Sequence, residues 1–115
     1  MIDIQSYFTP LDSDLYIDKD KWEITQVGRG ITTYIKGHFP NLKFTEIAIF
    51  NIPEYEGSKN SFSESNCKIR DLFYSLHFDS LPRVSDLGVL NLMSNRKESF
   101  KIIEHVCKNL LHNGI

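Results

Sequence analysis

The sequence has little net charge and no long hydrophobic run. Its 115 residues carry 13 lysines and arginines against 15 aspartates and glutamates, for a formal net charge of −2. Nucleic-acid-binding domains usually present a basic surface, so this balance indicates that neither DNA nor RNA is a partner. No apolar stretch approaches the roughly 20 residues that cross a bilayer, and no basic segment precedes a hydrophobic one at the amino terminus. We therefore expect a cytoplasmic protein that binds no membrane.

Cysteine is also scarce, which excludes several classes of site. Cys67 and Cys107 are the only two cysteines, and their spacing matches no metal-binding pattern. Both lie in segments with helical periodicity, where we expect them to be small buried residues in a reducing compartment. The four histidines are scattered and form no HxH or HExxH motif. The sequence therefore offers no metal ligands and no catalytic residue.

Residues 1–24 are expected to form an irregular amino-terminal extension. The stretch is polar and interrupted by Pro10, and only residues 2–8 favour a short helical turn. Four of its aspartates lie close together at Asp12, Asp14, Asp18 and Asp20. These lack the glycine and the glutamate that complete an EF-hand, so they indicate a solvated acidic loop. We expect this extension to lie at the periphery of the domain.

Hydrophobic periodicity along residues 25–115 predicts alternating helices and strands. Strands are expected at residues 47–52 and 84–90, and helices at residues 26–36, 66–77 and 95–112. The strand at 47–52 is nearly continuous in apolar residues, which favours a strand covered on both faces at the centre of a parallel sheet. A right-handed crossover is expected to join the two parallel strands. The predicted fold class is therefore α/β.

The apolar residues of each predicted helix recur at three- or four-residue spacing, as on the buried face of an amphipathic helix. The first helix, with Thr25 as its cap and Gly37 as its stop, has Val27, Ile31, Tyr34 and Ile35. The second has Ile69, Leu72, Phe73 and Leu76. The third has Phe100, Ile103, Val106, Cys107, Leu110 and Leu111. Gly114 should end the third helix, so Ile115 is expected to begin another strand.

An acidic loop follows the first predicted strand, which ends at Pro53. Open α/β sheets bind ligands at the carboxyl ends of their strands, so this loop is where a substrate would be expected. Its candidate substrate-contacting residues are Glu54, Glu56, Gly57 and Asn60. Two carboxylates and a single glycine disfavour a phosphate as the ligand. Two strands are also too few to cover three amphipathic helices, so we expect further strands from a longer chain or from a partner.

Four segments resemble, in order and spacing, the amino-terminal motifs of the ureohydrolase family, which comprises arginase, agmatinase and formimidoylglutamase. They are IAIFNIPEYEGSKN, CKIRDLFYSL, VSDLGVL and ESFKIIEHVCKNLLHNGI. The resemblance implies that Pro53 and Gly57 set the geometry of the loop after the first strand, and that Gly88 is a structural position of its motif. It also implies that Arg70 and Asp86 form a structural ion pair or contact a substrate. The sequence departs from the family pattern at Asn51, Tyr55 and Asn66.

The resemblance implies the amino-terminal part of an arginase-like three-layer α/β/α fold, of which residues 25–115 supply the first two strands and their helices. A complete family member hydrolyses an amidine or guanidine C–N bond with two Mn²⁺ ions that activate a water. The family's metal-binding motifs are not found in these 115 residues. The implied function is thus a fragment without catalytic residue, metal or cofactor of its own, whose partner is the remainder of the parent chain.

The sequence also leaves a different function open. The exposed edge of the strand at 47–52 would suit a free-standing protein-interaction module. Such a module would complete its sheet by self-pairing, as a homodimer, or by pairing with another protein.

Overall fold

The structure, a computed structural model, describes residues 3–11, 19–53, 63–91 and 95–115, with backbone alone for residues 63–68. Within these ranges the strands are β1 (Phe8–Thr9), β2 (Thr32–Thr33), β3 (Ile47–Asn51) and β4 (Val84–Leu90). The α-helices are α1 (Val27–Gly30), α2 (Ser63–Tyr74) and α3 (Arg96–His112). Short 3₁₀ helices occur at Ile4–Tyr7, Lys19–Lys21 and Leu42–Phe44.

All three other strands pair with β4. β2 and β3 lie parallel to it, with Thr33 opposite Asp86, and β1 lies antiparallel, with Phe8 opposite Leu90. Every residue of β4 is buried, as is typical of a central strand covered on both faces. The protein is thus a mixed α/β domain, and the predicted α/β class is confirmed at this level. The parallel pairing of β3 with β4 and the bounds of β4 are also as predicted.

The prediction that the strand at 47–52 lies at the sheet centre is wrong, and its two faces are only partly covered. Among the described residues, β3 pairs with β4 alone. Ile47 is 43% exposed and Ile52 is 49% exposed. The centre belongs to β4, with which the other described strands all pair. Its one charged residue, Asp86, is paired with Arg70, so the charge is not buried alone.

The predicted helix at 26–36 is wrong beyond its first turn, since α1 ends at Gly30 and the chain becomes extended in β2. Glycine has low helix propensity, and β-branched residues favour extended backbone, so GRGITT suits a short turn followed by a strand. Thr25 does not cap α1, because its hydroxyl lies 2.6 Å from Nδ1 of His77. Gly37 has a φ of 86°, but it lies in a tight turn and ends no helix.

Helix α2 begins and ends three residues earlier than the predicted range of 66–77. The predicted apolar face is wrong, because Ile69 is 62% exposed and Leu72 is 69% exposed. Among the helix residues whose side chains are described, 69–74, the buried ones are Arg70 and Tyr74. They lie four residues apart and therefore on one face of the helix. Their polar ends bond to Asp86, so burial leaves those groups paired.

Helix α3 agrees with its predicted range. The side chain of Asn95 caps it by accepting a hydrogen bond from the backbone N–H of Glu98 at 2.8 Å. Val106 and Leu110 are buried as predicted. The remaining members of the predicted stripe are less covered: Ile103 is half-buried, and Phe100, Cys107 and Leu111 are exposed. The prediction of a buried Cys107 is therefore wrong, and the side chain of Cys67 lies outside the described residues.

The end of α3 has the hydrogen bonds of a Schellman motif. Gly114, at a φ of 85°, donates to the carbonyl of Leu111 at 3.0 Å, and Ile115 donates to the carbonyl of Leu110 at 3.1 Å. Ile115 thus belongs to the helix end, and the prediction that it begins a strand is wrong.

The core consists of two clusters. The first packs α3 against the sheet and contains Phe8, Tyr34, Leu87, Leu90, Val106 and Leu110. The second lies beneath α1 and α2 and contains Trp22, Val27, Ile31, Tyr74 and Val84. Phe8 is only 4% exposed. Part of the amino-terminal segment therefore belongs to the core, although we expected it at the periphery.

Candidate functional site

A buried polar network lies where α2 crosses the central strand. Asp86 belongs to β4, Arg70 and Tyr74 belong to α2, and Thr33 belongs to β2. All four residues are buried. The network joins three elements that are distant in the sequence, so it is the principal candidate for a functional site.

The carboxylate of Asp86 accepts four hydrogen bonds. Nε and Nη2 of Arg70 donate to its two oxygens at 2.8 Å each, the hydroxyl of Tyr74 donates at 2.7 Å, and the N–H of Gly88 donates at 3.0 Å. Nη2 of Arg70 also donates to the carbonyl of Gly88 at 2.9 Å. Arg70 and Asp86 therefore form an ion pair, and its geometry is bidentate.

The environment of Tyr74 keeps its hydroxyl protonated. Burial raises the pKa of Tyr74 well above its ordinary value, and the negative charge of Asp86 raises it further. The hydroxyl of Thr33 lies 2.8 Å from that of Tyr74. Tyr74 therefore acts as a hydrogen-bond donor to Asp86.

Lys19 is a second cation whose pKa is affected by the negative charge of Asp86. Its Nζ donates to the backbone carbonyls of Ile31 and, at 3.4 Å, Gly28. Burial lowers the pKa of Lys19, and the negative charge of Asp86 partly opposes this effect. The lysine thus holds the end of α1 and the start of β2 in place.

Gly88 has a structural role in this network. Its φ is 88°, a left-handed conformation, and a Cβ built there would overlap the carbonyl oxygen of Thr9 in β1. Only glycine allows β1 to approach β4 this closely while the Gly88 backbone bonds both Asp86 and Arg70. Pro53 is buried at the end of β3, consistent with a shaping role.

The network is suited to hold α2 on the sheet rather than to react. Asp86 would have to give up existing hydrogen bonds to act as a base or to bind a metal. The side chains of Arg70 and Asp86 are 6% and 0% exposed, which leaves little surface for a substrate. Across residues 3–11, 19–53, 69–91 and 95–115, no three His, Cys, Asp or Glu side chains gather into a group that could hold a metal ion.

The predicted substrate-loop residues Glu54, Glu56, Gly57 and Asn60 lie outside the described residues, so their role stays a prediction. At the strand end just before them, the side-chain oxygen of Asn51 is buried and accepts no hydrogen bond from any described residue. Sequence reasoning missed Tyr74, Thr33 and Lys19. The only available signal was the spacing of Arg70 and Tyr74 at i and i+4 on a helix otherwise judged by its apolar residues.

A hydroxyl, an imidazole and a carboxylate also meet between α1 and α2. Thr25 Oγ1 lies 2.6 Å from Nδ1 of His77, whose Nε2 lies 4.0 Å from Glu23 Oε2. This arrangement resembles a nucleophile, its base and an orienting carboxylate, but all three residues are exposed. Two neighbouring backbone N–H groups, of Gln26 and Phe78, already donate to the carbonyls of Glu23 and Thr25. The cluster therefore fastens two turns together and offers no oxyanion hole.

Within the described parts of the chain, no helix has the length and apolar character needed to cross a membrane. Comparisons of the whole chain with protein-family models, with curated proteins and with solved structures find no match.

Proposed function

We propose that this chain is the amino-terminal structural segment of a ureohydrolase-like protein, which contributes part of the sheet and no catalytic group. The observation that carries this proposal is the contact between two of the four resembling segments. Arg70, in CKIRDLFYSL, and Asp86, in VSDLGVL, meet in the buried bidentate pair. Direct bonding between residues of two separate resembling segments supports the resemblance more strongly than sequence similarity at either position alone.

The layering of the core supports an arginase-like three-layer arrangement. Ile49 packs against the cluster beneath α2, and its neighbour Phe50 packs against the cluster beneath α3. Successive residues of a strand point to opposite faces, so helices cover both faces of the sheet.

Exposed apolar helix residues further support a place within a larger protein. Ile69 and Leu72 of α2 are 62% and 69% exposed, and Phe100 and Leu111 of α3 are 62% and 69% exposed. These side chains are the ones that periodicity predicts to be covered, which suits additional chain packed on the outer helix faces. Amidine or guanidine hydrolysis, and the Mn²⁺ ions that support it, would then belong to the complete protein.

The experiment is to detect the native protein in its source cells with an antibody against α3 and to measure its intact mass. We expect a mass well above the 13.4 kDa of these residues, with peptides that continue into a Gly-Gly-x-His motif. A native mass of 13.4 kDa would contradict the proposal. A calorimetric titration of the 115-residue chain with manganese chloride should show no micromolar binding, and such binding would also contradict it.

A second candidate function is a protein-interaction module that completes its sheet with another chain. The observation that favours it is the free edge of β3, which pairs only with β4 among the described residues. A native mass of 13.4 kDa, together with elution in a larger complex from a sizing column, would support the module. Elution of that native chain as a monomer would contradict it.

A further inference from the structure

The edge of β3 that faces away from β4, unpaired among the described residues, has a defined set of hydrogen-bonding groups. The N–H of Ile47 donates to the carbonyl of Arg83 at 3.1 Å. Ile47 and Ile49 lie opposite Val84 and Asp86 of β4, and after a register shift Asn51 lies opposite Val89. Backbone groups alternate sides along a strand, so these three residues direct theirs toward β4. The N–H and C=O groups of Ala48 and Phe50 therefore point away from β4. No described residue pairs with them there.

This edge also lacks the features that keep sheet edges from pairing. Ile47–Asn51 reads IAIFN, without a charged residue or a proline. The nearest charge is on Glu46, whose Oε1 accepts the backbone N–H of Arg83 at 3.0 Å and lies 3.7 Å from its Nε. With Ile47 at 43% exposure, the edge is apolar and ready for another strand.

We propose that the edge of β3 binds a second copy of this chain as an antiparallel strand, with the two-fold axis at Ile49. In this register Ala48 lies opposite Phe50 of the second copy. Each such pair exchanges two N–H···O=C bonds, so all the outward groups of Ala48 and Phe50 in both chains find partners. The second copy is favoured as the occupant because this register sets each large Phe50 against a small Ala48 and places no charged residue of Ile47–Asn51 opposite another.

The side chains fit the same register. On one sheet face, each large Phe50 lies across from a small Ala48 of the other copy. On the other face, Ile49 meets its own equivalent, with Ile47 of the second copy at the diagonal position, which makes a continuous aliphatic contact. Each Glu46 faces residue 52 of the other copy, so the two glutamates lie about 20 Å apart along the strand direction and do not repel strongly.

The inference rests on the second candidate function, because a longer chain whose own strands cover β3 leaves no room for another copy. It adds the identity of the partner and the register of the contact. Experiment can distinguish failure of the interaction-module proposal from failure of the second-copy proposal. A module bound to a different protein in native extracts, but monomeric when purified, keeps the module and overturns the second copy.

The first test is light scattering behind a sizing column over about a hundredfold range of protein concentration. We expect a dimer that dissociates on dilution. In Ala48→Pro the outward N–H is absent, while the bonds to β4 are kept, so the dimer dissociation constant should rise at least about tenfold. Ala48→Ser keeps the N–H and should dimerise like the wild type. A wild-type monomer throughout, or a folded Ala48→Pro that dimerises normally, would overturn the proposal.

The second test examines the register and does not depend on a proline variant. In a Cys67→Ser/Cys107→Ser background, Ile49→Cys should form an intermolecular disulfide under mild oxidation, because directly opposed residues lie about 4.5 Å apart at Cα. Ile47→Cys is the matched control. Its equivalent in the second copy lies four positions away, about 14 Å, so it should not cross-link. Cross-linking at position 47 but not at position 49 would overturn the register.

Discussion

Arg70 and Asp86 form a bidentate ion pair in the protein interior, with both N···O distances at 2.8 Å and side chains 6% and 0% exposed. Removing one partner of such a pair leaves an uncompensated buried charge, which is far more costly than losing a surface contact. Because the pair joins α2 to β4, it controls how firmly the helix is held on the sheet.

We expect Arg70→Met to lower the free energy of unfolding by about 3–5 kcal/mol, because the carboxylate of Asp86 stays buried without its cation. Urea unfolding followed by circular dichroism measures the change. The double variant Arg70→Met/Asp86→Leu should recover part of the loss. Lys108→Gln, which breaks the exposed pair with Glu104 at 2.9 Å, is the control and should leave the unfolding midpoint unchanged. An Arg70→Met protein as stable as the wild type would contradict the described pair.

Tyr74 should make the protein less stable in alkaline solution. Its pKa is raised in the folded state, so above pH 10.0, its ordinary pKa, the unfolded chain loses the proton while the folded protein keeps it. The stabilisation is complete below that pH and is lost as the pH rises. Tyr74→Phe should remove this part of the decline in urea-unfolding free energy between about pH 9 and about pH 11. Tyr7→Phe, which makes no contact with Asp86, serves as the comparison; an identical alkaline decline in Tyr74→Phe would count against this account.

Lys19 should produce the opposite slope. Its folded-state pKa is lowered, chiefly by burial, so the folded protein releases the lysine proton at a lower pH than the unfolded chain, whose value is 10.5. The unfolded state then binds more protons, and stability rises with pH across the window from the lowered pKa to 10.5. Lys19→Met should abolish this rise. The comparison is best made in the Tyr74→Phe background, where the opposing titration is absent; a rise that persists in Lys19→Met would assign it to another group.

Gly88→Ala should destabilise the protein more than Gly114→Ala does. Both glycines have left-handed backbone, with φ of 88° and 85°. A Cβ at Gly114 meets nothing within 4 Å, so that variant should cost only the left-handed penalty of about 1–2 kcal/mol. At Gly88 the Cβ also overlaps the carbonyl of Thr9, which should loosen β1 and lower the melting temperature further. Equal melting temperatures for the two variants would show that β1 does not press on Gly88.

Local patterns in the sequence were sufficient for β3, β4 and α3. The run IAIFN and the run VSDLGVL each have strand character, and α3 has a capping asparagine before its apolar repeat. The first predicted helix failed because Val27, Ile31, Tyr34 and Ile35 have helical spacing, whereas pairing of Thr32–Thr33 with β4 requires extended backbone. The spacing of apolar residues within one segment gives no information about a hydrogen-bonding partner that lies some fifty residues away in the sequence.

The candidate site shows the same division. The family resemblance identified Arg70, Asp86, Pro53 and Gly88. The apolar periodicity of α2 predicted that Ile69 and Leu72 are buried, and it did not identify Tyr74. The sequence by itself determined the order of β3, α2, β4 and α3 and the residues able to form an ion pair. Only the tertiary structure decided that β4 is central and that α2 buries Arg70 and Tyr74, because a buried charge or hydroxyl is stable only where a partner distant in the chain completes its hydrogen bonds.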